Sequence, residues 1–516
     1  MSRLLATMHS GCKRQIVGSI GWLSIGLAWV SSASVNADEP LLDRAASTIG
    51  VKECAACHSA PSPIYERTGV TQFVSMREAR VWLDQDKHAV AYELVDPATN
   101  ALTRQIIERM GWSIDGPEFT QQCLTCHAGV PATGDSSSGI DQVVFGVQCE
   151  ACHGPGSLWT QREFHQQVSW RSWTPEQKAE LGMADLHDPA TLTRTCASCH
   201  VGDLKQGRFV THAMYAAGHP PLPPFEPVSA LSRLPAHWRR LEAKPEFEGR
   251  AGYVQANRRE ELPQYSLAEQ VAIRDAEDQS SFDAALAQHA LQIWIDAADQ
   301  PEQWWGDFAL YDCGACHHEL QTPSQRQELR LGRTPGRPRP AGWPFSRTVL
   351  GDDPQVQQAY AEFDREFDRQ PFGNPLQFQR GGRVAQRLLD ALDASAARTG
   401  QAMGSPDIIA QELQKACELE FPPGDFAAAQ VQGEQLVRRL ERWASQPQVS
   451  LDAWASARDN IRKLQQLLAI NRQLEQRQSV LDELSFALSA GERYDADAVN
   501  AVRQQIAALL QGQVQP

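Results

Sequence analysis

The chain has 516 residues, 42% hydrophobic and 22% charged, which is ordinary globular composition and enough for two or three packed domains. Its formal net charge is −15, and no Lys/Arg run alternates with aromatics. That balance argues against nucleic acid as a partner and for soluble partners with basic faces.

Residues 1–37 have the tripartite form of a secretory signal: basic Arg3, Lys13 and Arg14, an apolar stretch from Ile16 to Val30, and Val35-Asn36-Ala37 ahead of Asp38. The apolar run is shorter than the roughly 20 residues needed to span a bilayer, so cleavage after Ala37 is expected in place of an anchor. Cys12 precedes the apolar stretch, which is the wrong place for a lipid-modified first residue. No later segment reads as transmembrane. The mature chain is therefore expected to be periplasmic or otherwise extracytoplasmic, with no stable membrane span.

Ten of the twelve cysteines fall into five pairs of identical spacing, each followed at once by histidine. They are Cys54-Ala-Ala-Cys57-His58, Cys123-Leu-Thr-Cys126-His127, Cys149-Glu-Ala-Cys152-His153, Cys196-Ala-Ser-Cys199-His200 and Cys313-Gly-Ala-Cys316-His317. A disulfide scaffold or a zinc ribbon has no need of histidine after every second cysteine. Covalent haem c does: two thiols add across the porphyrin vinyls, and the adjacent imidazole becomes the proximal iron ligand. The expected cofactor load is five covalently bound haems c, within a multihaem domain over residues 38–320. Four motifs lie between residues 54 and 200, a density at which haems replace much of an apolar core. Short helices and loops are expected there. Trp159, Trp170 and Trp173, between motifs three and four, suit either porphyrin faces or ordinary core burial.

Distal iron ligands are not written in a motif. Eight histidines compete for five vacancies: His88, His165, His187, His212, His219, His237, His289 and His318. His88 stands in Trp82-Leu-Asp-Gln-Asp-Lys-His88-Ala, read as a helix, and is the leading candidate. His165 lies twelve residues after His153, while His212 and His219 are seven apart, a spacing that puts both on one helical face. His187, His237 and His289 are read as solvent-facing or structural, and His318, beside a proximal ligand, points toward a different haem. Met76, Met110, Met183, Met214 and Met403 are more naturally core residues than thioether ligands.

The third motif in full, Cys149-Glu150-Ala151-Cys152-His153-Gly154-Pro155-Gly156, resembles the tetrahaem cytochrome c-554 family. So do the preceding Phe145-Gly146-Val147, the segment Lys87-His88-Ala89, and a histidine a dozen residues beyond motif three. The resemblance runs over about residues 50–220. It implies a mainly helical, irregular fold with closely stacked haems and distal ligands at His88, at His165 and at either His212 or His219. It also implies that one haem can lack a distal ligand. The fifth motif and the long C-terminal region depart from the tetrahaem pattern, and Thr211-His212-Ala-Met-Tyr-Ala-Ala-Gly-His219-Pro resembles longer multihaem cytochromes.

Leu267 to Ala298 reads as one or two helices leading to motif five. Residues 321–350 form a Pro/Arg-rich linker or arm, in which Arg326, Arg330, Arg333, Arg337, Arg339 and Arg347 face one acid, Glu328, up to residue 347. Either propionate pairing or a solvated linker fits it. Residues 351–516 read as an α-helical C-terminal domain. Leu436, Leu440 and Trp443, then Ile461, Leu464 and Leu468, then Leu481, Leu484 and Leu488, then Val499, Val502, Ile506 and Leu509 recur at helical spacing. Ser405 with Pro406 is a helix start, and Cys417 reads as a buried thiol. These helices offer a route to an oligomer.

The expected fold class is mainly α with irregular haem-packed regions, followed by the helical domain. The expected function is electron carriage between donor and acceptor redox proteins. An oxidoreductase acting on a small nitrogen or sulfur compound at an open haem, or a haem-wired docking subunit, would use the same motifs.

Overall fold

The computed structural model describes residues 46–61, 63, 70–129, 145–223, 225–238, 250–256, 267–311, 345, 347–351, 353–367, 374–399 and single positions at 436, 437, 440, 460, 463 and 464. The signal segment, motif five with Cys313, Cys316, His317 and His318, the arm over 321–344, Cys417 and most of the helices beyond residue 400 lie outside the described residues.

The protein is mainly helical. Among the described residues the sole β pairing is one antiparallel bridge, Asp203 with Arg208. Short helices carry the first half: α1 (Val51–His58), α2 (Glu78–Gln85), α3 (Ala101–Met110), α4 (Cys149–His153), α5 (Pro189–His200) and α6 (His212–Ala217). Their ends are set locally. Asn100 caps α3 by accepting from the Thr103 N–H, and Asp188 caps α5 from Ala190 and Thr191, with Pro189 at the first position. Thr211 caps α6, and Gly218, at φ 118°, ends it in the left-handed region.

The expected helix through His88 breaks before it. α2 stops at Gln85, Asp86 turns extended, and a 3-10 helix runs over Lys87–Leu94 with the Asp86 side chain accepting from the His88 N–H. Asp is a strong cap and competes with continued helix, which is why the periodicity misleads here.

Apolar packing divides the chain. Between residues 46 and 238 the described core is mostly small separate clusters, such as Val51, Trp82 and Ala89, or Val95, Ile107 and Phe119. The large core lies further on, where α7 (Leu267–Asp299), one unbroken helix, meets α8 (Pro354–Arg365) and α9 (Pro375–Thr399). Trp294 is its hub, with ring centroids 5.1 Å from Phe367, 5.3 Å from Tyr311 and 5.6 Å from Phe378. Gly382 lets α9 cross α7 in contact with Ala298. α7 also packs along α5, so the motif-four helix is seated on this scaffold. Helices beyond residue 350 thus share a core with the helix that leads to motif five.

Candidate haem-binding centre

The four described motifs sit at helix ends. Motif one closes α1, motif two runs from a π-turn over Phe119–Leu124 into Thr125–His127, motif three is α4, and motif four closes α5. Near-helical backbone puts cysteines three apart on one face with the following imidazole close beside them, as thioether attachment needs.

Glu150, the acid inside motif three, ties two motifs together. Its carboxylate accepts from the Ile49 N–H (2.9 and 3.1 Å), the Gly50 N–H (2.7 Å) and the Gly156 N–H (2.6 Å). Gln148 Oε1 adds the Val51 N–H at 2.9 Å. α1 has no side-chain cap of its own, so residues from motif three satisfy its first donors. Phe145-Gly146-Val147 and Lys87-His88-Ala89, both singled out in the sequence, touch one another. Val147 N–H donates to the His88 carbonyl (2.9 Å), and Trp82 Nε1–H donates to the Val147 carbonyl (3.1 Å). Gly146, at φ 65°, lies so close to that carbonyl that a Cβ would strike it.

Histidines meet in pairs. The His58 and His165 ring centroids are 6.2 Å apart, His88 and His200 6.1 Å, and His153 and His237 6.2 Å, with interplanar angles of 47°, 88° and 74°. Two metal–nitrogen bonds of about 2 Å laid end to end, each extended by roughly 1 Å to the ring centre, place trans imidazoles about 6 Å apart. All three pairs fit one iron between them. Each pairs a motif histidine with one from elsewhere in the chain. Burial pushes His153, His165 and His200 down to about 4, so these rings are neutral at ordinary pH, the form that binds a metal. Burial also lowers His127 and His219, and the nearness of His127 lowers His219 further.

The thiols are grouped as well. Cys54 lies beside Cys149 and Cys126 beside Cys199, while Cys152 lies within electrostatic reach of Cys196 and Cys199. Motif one therefore adjoins three, three adjoins four, and four adjoins two. These residues fit a run of covalent haems: paired thiols at each motif, neutral imidazoles at trans-iron spacing, and small apolar clusters between.

Residues 53–154 match the family model for cytochrome c554 and c-prime. The match supports a c-type cytochrome. Haem-based electron transfer is the chemistry it supports, with covalently bound haem c as the cofactor. No curated protein and no solved structure matches the chain. Among the described residues no helix is long and apolar enough to cross a membrane.

Several candidate histidines separate cleanly. His237, expected in a structural role, faces His153. His187 Nε2 is bonded to the Tyr253 hydroxyl at 2.9 Å, and His289 Nε2 donates to the Gly202 carbonyl at 2.7 Å, so both ligating nitrogens are engaged by protein. His212 and His219 diverge, because Gly218 ends α6 before His219 is reached. The His212 ring stands edge-on to Phe308 at 5.3 Å, whereas His219 turns its Nδ1 to the Pro220 carbonyl at 2.7 Å. The tryptophans enclose a ligand candidate: Trp159 and Trp170 stand edge-on to His165 at 5.4 and 5.8 Å, and Trp173 packs on Trp170.

Proposed function

We propose that this chain is an exported pentahaem c-type cytochrome that carries electrons between redox proteins in the periplasm or another extracytoplasmic compartment. The observation that carries this reading is the set of three imidazole pairs at 6.1–6.2 Å, each joining a motif histidine to one remote in the chain. An iron with imidazole on both sides has no position for substrate, which suits carriage over catalysis. Haem iron, when bound, supplies one-electron chemistry between its ferric and ferrous states.

In this reading Cys54, Cys57, Cys123, Cys126, Cys149, Cys152, Cys196, Cys199, Cys313 and Cys316 anchor five haems. His58, His127, His153, His200 and His317 are the proximal ligands. His165, His219, His237 and His88 are the distal ligands for motifs one to four in that order. His212 serves motif five, since its backbone N–H is held by Asp307 and its ring by Phe308, both a few residues before Cys313. The acidic surface charge draws partners with basic faces.

Intact mass and low-temperature spin resonance of the exported protein test this together. Five haems on a chain beginning at Asp38, with low-spin signals only, are expected. Four or fewer haems in mature protein would defeat the five-haem assignment, and a stoichiometric high-spin signal would favour an oxidoreductase with an open iron.

A further inference from the structure

The imidazoles at the four described centres differ in what their second ring nitrogen touches. His58 Nδ1 donates to the Glu78 carboxylate at 2.9 Å, and His88 Nδ1 donates to the Asp86 carboxylate at 2.9 Å. His127, His219 and His237 Nδ1 turn instead to the backbone carbonyls of Ala91, Pro220 and Pro235, at 3.1, 2.7 and 3.4 Å. His165 Nδ1 is buried with no hydrogen-bond partner. A ligating imidazole that donates to a carboxylate gains anionic character and gives more charge to its metal, whereas one that donates to a carbonyl gains less.

Both carboxylates are fixed in place. The second Glu78 oxygen accepts from the Ser75 N–H (2.7 Å), the Ser75 hydroxyl (2.8 Å) and the Met76 N–H (3.2 Å). Asp86 Oδ1 accepts from both the backbone N–H and the ring of His88, and the side chain is 7% exposed. Neither acid can swing away as charge on the neighbouring centre changes, so each bond acts alike in both oxidation states. A fixed anion at that distance favours the ferric over the ferrous form.

Resting on the bis-imidazole reading above, we infer that Glu78 and Asp86 are the potential-setting residues of this cytochrome, holding the His58/His165 and His88/His200 centres below the other two described centres. Because α4 packs against both α1 and α5, and the Thr125 hydroxyl of motif two donates to the Gly207 carbonyl just past motif four, the lowered centres alternate with unlowered ones along the array.

The experiment is a redox titration of full-length, haem-loaded protein, followed by optical and spin-resonance spectra, for wild type, Glu78→Gln, Asp86→Asn and the double variant. Glutamine and asparagine keep an oxygen for the Ser75 and His88 backbone bonds and remove the charge. One midpoint should rise in Glu78→Gln, a different one in Asp86→Asn and both in the double variant, with every low-spin signal retained. Unmoved midpoints with intact low-spin signals would overturn the inference. New high-spin iron in either variant would overturn it too, by showing that the acid holds the ligand in place instead of tuning it. His165→Ala and His88→Ala, run alongside, separate the two levels: if neither produces high-spin iron, the ligand pairing itself has failed.

Discussion

His153 and His237 face one another across 6.2 Å with their rings at 74°, although His237 belongs to no motif and follows the last described attachment site. Burial and the neighbouring His237 push His153 down to about 4, which keeps this ring neutral. His237→Ala should leave all thioether bonds in place and turn one iron high-spin, with new carbon monoxide binding in the reduced protein. A spectrum matching wild type, with no carbon monoxide adduct, would return His237 to a structural role.

The Glu150 carboxylate serves three backbone N–H donors from two separate motifs. Removing it strands those donors in a half-buried site, so Glu150→Ala should cost about 2–4 kcal/mol, and Glu150→Gln less because one acceptor survives. Denaturant unfolding of haem-loaded protein measures both. Equal stability of Glu150→Ala and wild type would show that water replaces the carboxylate freely.

The five motifs are legible in the sequence because covalent capture needs thiols and imidazole together, which writes that chemistry into contiguous residues. The ring pairs were not, because they cross: His58 of motif one faces His165 from beyond motif three, and His200 of motif four faces His88 from before motif two. Spacing within a segment carries no information about such pairs. Helical periodicity also failed at two sites where a cap intervened, Asp86 before His88 and Gly218 before His219. The reading of Leu267 to Ala298 as one or two helices resolves to one, α7, whose C-terminal half is buried against α5 and α9.

Gly146 gives the family-like Phe-Gly-Val segment a test of its own. Its φ of 65° and its contact with the His88 carbonyl leave no room for a side chain. Gly146→Ala should lose about 1–3 kcal/mol from backbone strain and displaced contacts. The spin-resonance signal of the His88/His200 centre should broaden while the other centres keep theirs, because the strained residue presses on the turn that carries His88.

The helical scaffold makes the opposite prediction. Phe363 is fully buried, ringed by Trp294, Phe345 and Phe367 at 5.4–6.4 Å. Phe363→Ala opens a cavity that neighbouring rings cannot fill without leaving their rotamers, at a cost of about 3–5 kcal/mol. The loss should appear as a lowered unfolding midpoint with the low-spin spectrum and haem count of folded protein unchanged, since the rings around Phe363 belong to the helical scaffold, although Val201 and Leu204, just past motif four, also pack against this core. A change in spin state at temperatures where the protein is still folded would mean that α7 transmits core packing directly to motif four. The helical region would then be part of the redox centre's own support.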